Sequence, residues 1–322
     1  MNRFNHIMAC IDLSDYSPMT LGYAMNLARQ ADLKVTICSI VPLREVNPVY
    51  MAGMMYPCRE DTKEYLEELK GNRIAQIREL IRTRYPEFDG KTDIRIKMGY
   101  PAEEILTMID EVDPDLVVMA NKGRSNLSNF MFGSAAEFVF RHCRKALFSV
   151  RDKHVFKRMY SGSALPEPGE LRNIIAAVDF SPWTEHILAR AGWMAKITGA
   201  KLHVFHCIST KELAWIKSHY IPEHTFSEEQ FLPTAKQRRS VRLGDQIKAA
   251  GIGDMAGIDI TIDSGDPCEQ ILSATKNLRA DALILGPLGH SRSVKYVLGS
   301  TIEKIFRHSP VPVLRLSPDI CI

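Results

Sequence analysis

No apolar run in this 322-residue chain approaches the roughly 18 residues that a membrane-spanning helix needs. The opening stretch MNRFNHIMACIDLS also lacks an apolar h-region and a small-residue cleavage site, so no secretory signal is expected. Paired cysteine spacing is absent too. The seven cysteines, Cys10, Cys38, Cys58, Cys143, Cys207, Cys268 and Cys321, are odd in number and scattered. That pattern suits free thiols in a reducing compartment and not a disulfide framework. Charge of one sign is scarce: the net charge is +3, with acids and bases interspersed. This argues against a nucleic-acid partner or an acidic membrane surface. Together these absences lead to the expectation of a cytoplasmic globular protein, and 45% apolar with 25% charged residues is ordinary for that class.

What is present is a repeat. The length exceeds one core and suggests two domains of about 150 residues. HIMACIDLSDYS at 6–17 returns as NIIAAVDFSPWT at 173–184, so Asp12 matches Asp179, 167 residues on. MGYPAEEIL at 98–106 returns as SGDPCEQIL at 264–272, and ANKGRSNLSNFMFGSA at 120–135 returns as GPLGHSRSVKYVLGST at 286–301. Pro101 to Pro267, Gly123 to Gly289 and Gly133 to Gly299 each shift by 166. Four landmarks at an offset constant to one residue identify a tandem duplication. The expected domains are 1–152 and 172–318, joined by a linker at 153–171 rich in Pro, Gly and Ser.

Each copy reads as alternating strands and helices. Short β-forming runs, Ile7–Ile11 and Ile174–Val178, read as buried first strands. Amphipathic helices follow, with Leu21, Ala24, Met25 and Ala28 inward in copy one and Ile187, Ala191 and Met194 in copy two. Second strands at Lys34–Val41 and Lys201–Ile208 lead through long loops, 42–60 and 209–233, to charged helices at Asp61–Arg84 and Glu228–Ala249. Third strands at Asp93–Lys97 and Asp259–Ile262 pass through Gly-x-Pro into helices opened by Pro101 and Pro267. Proline suits a first turn, where its missing N–H has no partner in any case. Fourth strands at Leu116–Met119 and Ala282–Leu285 run into the glycine pattern, a last helix, and final strands at Ala146–Arg151 and Val311–Leu316. Such alternation implies a doubly wound α/β domain with a parallel sheet in each copy.

Ligands of such sheets gather beyond the carboxyl ends of the strands, where the glycine pattern begins. Glycine tolerates positive φ and lets the backbone approach a ligand closely. Successive N–H groups there can form an anion nest, and a helix opening near Gly299 adds its N-terminal N–H groups, with Ser300 and Thr301 alongside. Asp179 can accept from an amine or a ribose hydroxyl, and Ile208 offers backbone groups and an apolar wall to a base. Alone, three glycines after a strand are more often a plain turn, and their spacing fits neither GxGxxG nor GxxxxGK[ST].

The combination of G-x2-G-x9-G-[ST] after the fourth strand with an aspartate ending the first resembles the universal stress protein family, over both copies. The resemblance implies a five-stranded parallel sheet in each copy, of the adenine-nucleotide alpha-hydrolase-like kind. It also implies a stress-response regulator binding ATP, or AMP or ADP, with Mg²⁺ as a companion of the nucleotide. Adenine and ribose contacts are implied at Asp179 and Ile208, and phosphate and ribose contacts at Gly286, Gly289, Gly299 and Ser300, with Thr301 beside them. Copy one keeps Asp12, Val41, Gly123, Gly133 and Ser134 but carries Ala120 where copy two has Gly286. That methyl group obstructs if the turn needs positive φ or a close phosphate, while Lys122 and Arg124 add cations. Pro287 removes one N–H from the second nest. The nucleotide is therefore expected chiefly in copy two. Association through the last strands is implied as well, giving an internal pseudo-dimer with homodimerisation left open.

Catalytic machinery is not in evidence. The chain shows no P-loop lysine, no carboxylate set that plainly holds Mg²⁺ and no base for an attacking water. PLGH at 287–290 lacks the first histidine of HxGH, and SGGxDS is absent. Slow ATP hydrolysis would be incidental. No metal site is expected: His203 and His206, three apart on a strand, point to opposite faces and read as structural. Cys38 and Cys207 read as packing residues. Cys268, at a helix N-terminus where a thiolate is favoured, reads as an inert thiol in preference to a redox sensor. The Met- and Tyr-rich loop 42–60 and the aromatic loop 209–233 leave an alternative open: a nucleotide-independent interaction protein, or a carrier of another small ligand.

Overall fold

A computed structural model describes residues 3–46, 60–122, 133–151, 167–220, 227–287 and 299–317. These residues divide into two compact units, one holding 4–151 with 167–169 and the other 170–317 with Arg3.

The first unit runs β1 (His6–Cys10), α1 (Ser17–Ala31), β2 (Lys34–Pro42), a 3₁₀ turn (Leu43–Glu45), α2 (Glu60–Arg84), β3 (Asp93–Gly99), α3 (Pro101–Val112), β4 (Leu116–Ala120), α4 (Ser134–His142) and β5 (Ala146–Val150). Its strands lie in the order β3-β2-β1-β4-β5, and each adjacent pair is parallel. The second unit runs β6 (Asn173–Val178), α5 (Thr184–Thr198), β7 (Lys201–Ser209), α6 (Thr210–Tyr220), α7 (Glu228–Ala249), β8 (Ile258–Gly265), α8 (Pro267–Asn277), β9 (Ala282–Leu285), α9 (Ser300–His308) and β10 (Val313–Arg315). Its order, β8-β7-β6-β9-β10, repeats the first. The doubly wound architecture expected from the alternation is therefore present twice.

Helices on both faces bury the inner strands completely, which is why these read as continuous apolar runs and not as alternation. Ile7, Met8 and Ala9 of β1, and Ile174, Ile175 and Ala176 of β6, have no exposed surface. At the opposite end of each sheet, an aspartate pins the entering strand. Asp115 Oδ2 accepts from the Asn5 and His6 N–H groups, and Asp281 Oδ2 from those of Arg172 and Asn173.

The Gly-x-Pro step has a backbone cause. Gly99 and Gly265 sit at φ +153° and +143°, and a Cβ there would come within 2.7 Å of Glu104 or 2.8 Å of Gln270. Only glycine meets both demands at the turn from β3 into α3 and from β8 into α8.

Three sequence expectations need correction. The segment 209–233 is not one loop: α6 occupies Thr210–Tyr220, and α7 begins at Glu228. Ser209 Oγ accepts from the Glu212 N–H at 3.1 Å, the helix-opening half of a capping box, and Leu213 packs beside Ile208 and Ala235. The third strands run on to Gly99 and Gly265, carrying their pairing with β2 and β7 to the ligand edge. The last strand of the second unit is shorter than Val311–Leu316, because Pro312 has no N–H for the ladder and only its carbonyl bonds, to Leu283. Residues 167–169 group with the first unit, where Asn26 Nδ2 donates to the Pro168 carbonyl oxygen.

Candidate functional site

The strand order in each unit reverses beside its first strand, so the switch-point crevice lies past the ends of β1 and β4, and of β6 and β9. In the first unit this crevice is a cavity of about 530 Å³. Its floor is apolar, from Cys10, Ile11, Cys38, Ile40, Met119 and Ala120, while Asp12, Ser17, Thr20 and Lys122 supply polar groups, with Arg44, Glu45, Arg73 and Glu103 also in the lining. The first residues of α3 and α4 also line it, among them Pro101, Ala102, Gly133 and Ser134. Neither helix has a side chain bonded at its N-cap, Tyr100 or Gly133. Two sets of first-turn N–H groups, with the positive ends of two helix dipoles, thus border one space. Tyr100, 65% exposed, and Phe138, 41% exposed, stand at its edge.

Asp12 is held by its own turn. Its Oδ1 accepts from the Ser14 N–H at 3.0 Å and from Ser17 Oγ at 3.3 Å, while Leu13 between them takes a left-handed φ of 58°. Such a conformation costs a non-glycine residue about 1–2 kcal/mol, and it recurs at Phe180, φ 60°, behind Asp179. The Ser181 N–H donates to Asp179 Oδ1 at 3.1 Å, so both copies fix the carboxylate by the same strained turn.

Arg73 of α2, 7% exposed, ties the ends of two strands together in the first unit. Its guanidinium donates to Ser39 Oγ, to the Asp12 carbonyl oxygen at 3.1 Å and to the Ile40 carbonyl oxygen at 3.3 Å, and it faces Glu45 at 3.6 Å. In the second unit Arg239 pairs with Glu212, the equivalents of Arg73 and Glu45. His206 stands where Ser39 stands and takes over the strand end, its Nδ1–H donating to the Val178 carbonyl oxygen at 2.9 Å. Burial pulls the His206 pKa below its ordinary value, against the opposing pull of that hydrogen bond.

Some matching side chains are larger in the second unit, where Phe180 and His206 stand in place of Leu13 and Ser39. Phe180 meets His206 edge-on at 4.4 Å, with the Arg242 guanidinium 4.3 Å from the Phe180 ring centre. Gly286 is buried, and a Cβ on it would come within 2.9 Å of Ile187 Cδ1. No positive φ is found at Gly133, Gly286 or Gly299, so none of them uses glycine's left-handed freedom. The equivalent of Ile187 in the first unit is Thr20, which has no δ carbon. The methyl of Ala120 is thus matched by a missing methyl across from it, and not by a distorted turn.

Of the residues singled out in the sequence, Asp12, Gly133 and Ser134 line the cavity, whereas Val41 lies between two lining residues, Ile40 and Pro42, with its own side chain buried. Asp179 follows β6, Gly286 follows β9, and Gly299, Ser300 and Thr301 open α9. Ile208 is fully buried against α6 and α7 through Leu213 and Ala235. Gly123, Arg124 and Gly289 lie outside the described residues, as do 47–59 of the first long loop. Sequence reasoning missed Arg73 and Tyr100. The signal for Arg73 was its repetition as Arg239, 166 residues on and each facing a glutamate; that for Tyr100 was its replacement of Asp266.

The remaining candidates resolve simply. His203 and His206 are buried on β7, and among the described residues no group of three or more His, Cys, Asp or Glu side chains could hold a metal ion. Burial, then the Asp266 carboxylate, pushes the Cys268 thiol above its ordinary pKa, the reverse of what a redox sensor needs. Among the described residues no helix is long and apolar enough to cross a membrane.

Comparison with known proteins agrees with this architecture. A universal stress protein of Methanocaldococcus jannaschii is 27% identical over 144 residues, covering 44% of this chain and 80% of the relative. Universal stress protein YxiE of Bacillus subtilis is 27% identical over 136 residues, covering 42% and 91%. The crystal structure of a universal stress protein from Archaeoglobus fulgidus superposes with a TM-score of 0.63 at 20% identity, spanning 98% of this chain and 99% of that one, a likeness of fold. The model of the universal stress protein family matches twice, at residues 3–151 and 170–316. The chain therefore belongs to the universal stress protein family, with two of its domains in tandem.

Proposed function

We propose that this chain is a stress-response protein that binds an adenine nucleotide at the carboxyl edge of its parallel sheets, and that the first repeat is the principal seat. The observation that carries this reading is the 530 Å³ cavity at the first switch point, where an apolar floor meets two helix N-termini without side-chain caps. A nucleotide has that same division, an apolar base at one end and phosphates at the other. Asp12, fixed by its Asx turn, is in place to accept from an amine or a ribose hydroxyl, with Gly133, Ser134 and Lys122 on the phosphate side. Glycine at 286 points to the second repeat as well, but the open cavity at the first switch point, with Thr20 where the second repeat has Ile187, favours the first. Asp179, Gly286, Gly299 and Ser300 remain a second seat in the proposal. Mg²⁺ would enter with the nucleotide.

The role is regulatory: nucleotide occupancy changes the surface offered by the edge elements. Isothermal titration with ATP, ADP and AMP, together with native mass spectrometry of the purified chain, tests it. Stoichiometric binding that stabilises the fold by mass action is expected. No heat, no thermal shift and no co-purifying nucleotide would instead favour an interaction protein, for which the half-exposed Trp215 on α6 is the supporting feature.

A further inference from the structure

The floor of the first cavity holds an arrangement that nucleotide binding does not explain. Cys10 on β1 is the register partner of Cys38 on β2 and of Met119 on β4. All three line the cavity, so their side chains share one face of the sheet at one level. They are 7%, 0% and 5% exposed. Three sulfurs therefore stand in a row across three neighbouring strands, on the floor of the cavity. The second repeat supplies an internal comparison. Its register partners at the same level are Ala177, Phe205 and Leu285, with no sulfur among them.

We propose that this row is a binding site for a soft monovalent cation of the Cu(I) class, held by the thiolates of Cys10 and Cys38 with the Met119 thioether as a third donor. Thiolate and thioether sulfur select Cu(I), whereas the oxygen-binding cations Mg²⁺ and Ca²⁺ prefer carboxylates and carbonyls. Spacing admits a bridging ion. Neighbouring strands run about 4.8 Å apart. Two metal–sulfur bonds of about 2.3 Å in line span about 4.6 Å, which fits without moving the sheet. A disulfide, whose Cα atoms stand about 4.4–6.8 Å apart, fits the same spacing, so the test is run on the reduced, oxygen-free protein. Binding replaces the two thiol protons with two Cu–S bonds and releases both protons to solvent, with no change of oxidation state. Met119, across β1 from Cys38, is the farther donor and would reach the ion through its flexible, unbranched side chain.

The test uses the full-length chain, reduced and oxygen-free, competing for Cu(I) supplied as its bicinchoninate complex. Wild type should withdraw one more equivalent than a Cys10→Ala, Cys38→Ala double variant, a difference that discounts the other five thiols. X-ray absorption of the loaded wild type should show a sulfur-only shell at about 2.3 Å. Met119→Leu, nearly isosteric and expected to keep the fold, should weaken the site by several-fold. Equal stoichiometry in wild type and double variant overturns the proposal, as does an oxygen or nitrogen shell, or unchanged affinity in Met119→Leu. Because the readout is copper and not nucleotide, failure here leaves the adenine-nucleotide reading standing, and the converse also holds.

Discussion

At the scale of single residues, the two copies differ by a compensated exchange. Gly286 faces Ile187, and Ala120 has Thr20 at the matching position on α1. Gly286→Ala alone puts a methyl 2.9 Å from Ile187 Cδ1, the tip of a side chain that must turn aside, and should cost about 1 kcal/mol. Adding Ile187→Thr removes that carbon, so the double variant should be more stable than the sum of the single changes by about 1 kcal/mol. Urea unfolding of the four proteins measures the cycle, and simple additivity would refute the account of why Gly286 is glycine. The histidines make a second prediction. Burial lowers the pKa of His6, His203 and His206, so the unfolded chain takes up protons first as the pH falls. Their contribution is complete above the unfolded value of about 6.5 and is lost progressively as the pH drops below it toward the folded values. Denaturation midpoints at pH 7.5 and 5.5 should show this loss, and His206→Gln should reduce it.

At the scale of elements, helix ends separate the copies most clearly. Asp266 caps α8, its Oδ1 accepting from the Cys268 and Glu269 N–H groups at 2.9 and 3.1 Å, whereas Tyr100 leaves α3 without such a cap. Tyr100→Asp should therefore add about 1 kcal/mol of stability in chemical unfolding while weakening ATP binding, because a carboxylate would occupy the positive end of the helix. A gain in stability with unchanged ATP affinity would mean that the α3 terminus plays no part in the site. Elements with a plain period were legible in the sequence, since a parallel sheet buries its strands as unbroken runs, and α7 was expected within its observed bounds, Glu228–Ala249. α6 was missed because an eleven-residue helix beside aromatic residues resembles a loop, and its one clear signal, Ser209 with Glu212, is a capping box. The site was legible in part. Asp12, Gly133 and Ser134 stand out by repetition, but the fit of Ala120 depends on Thr20, a hundred residues earlier in the chain. No local pattern carries a contact of that range.

At the scale of the whole molecule, duplication has produced two domains with the same strand order, the same strained turn behind the first aspartate and different crevices. One crevice opens over a sulfur-lined floor; the other has Ala177, Phe205 and Leu285 at the same level and Ile187 beside Gly286. The division of labour proposed here follows from those side chains, since the backbones match. ATP titration of wild type, Asp12→Asn and Asp179→Asn, followed by native mass spectrometry, tests that division directly. Asparagine keeps an oxygen for the Asx turn, so each variant should hold its fold while losing the carboxylate's charge. The account predicts that Asp12→Asn weakens ATP binding at least tenfold while Asp179→Asn leaves the tighter site intact. Tight binding lost in Asp179→Asn and retained in Asp12→Asn would contradict it.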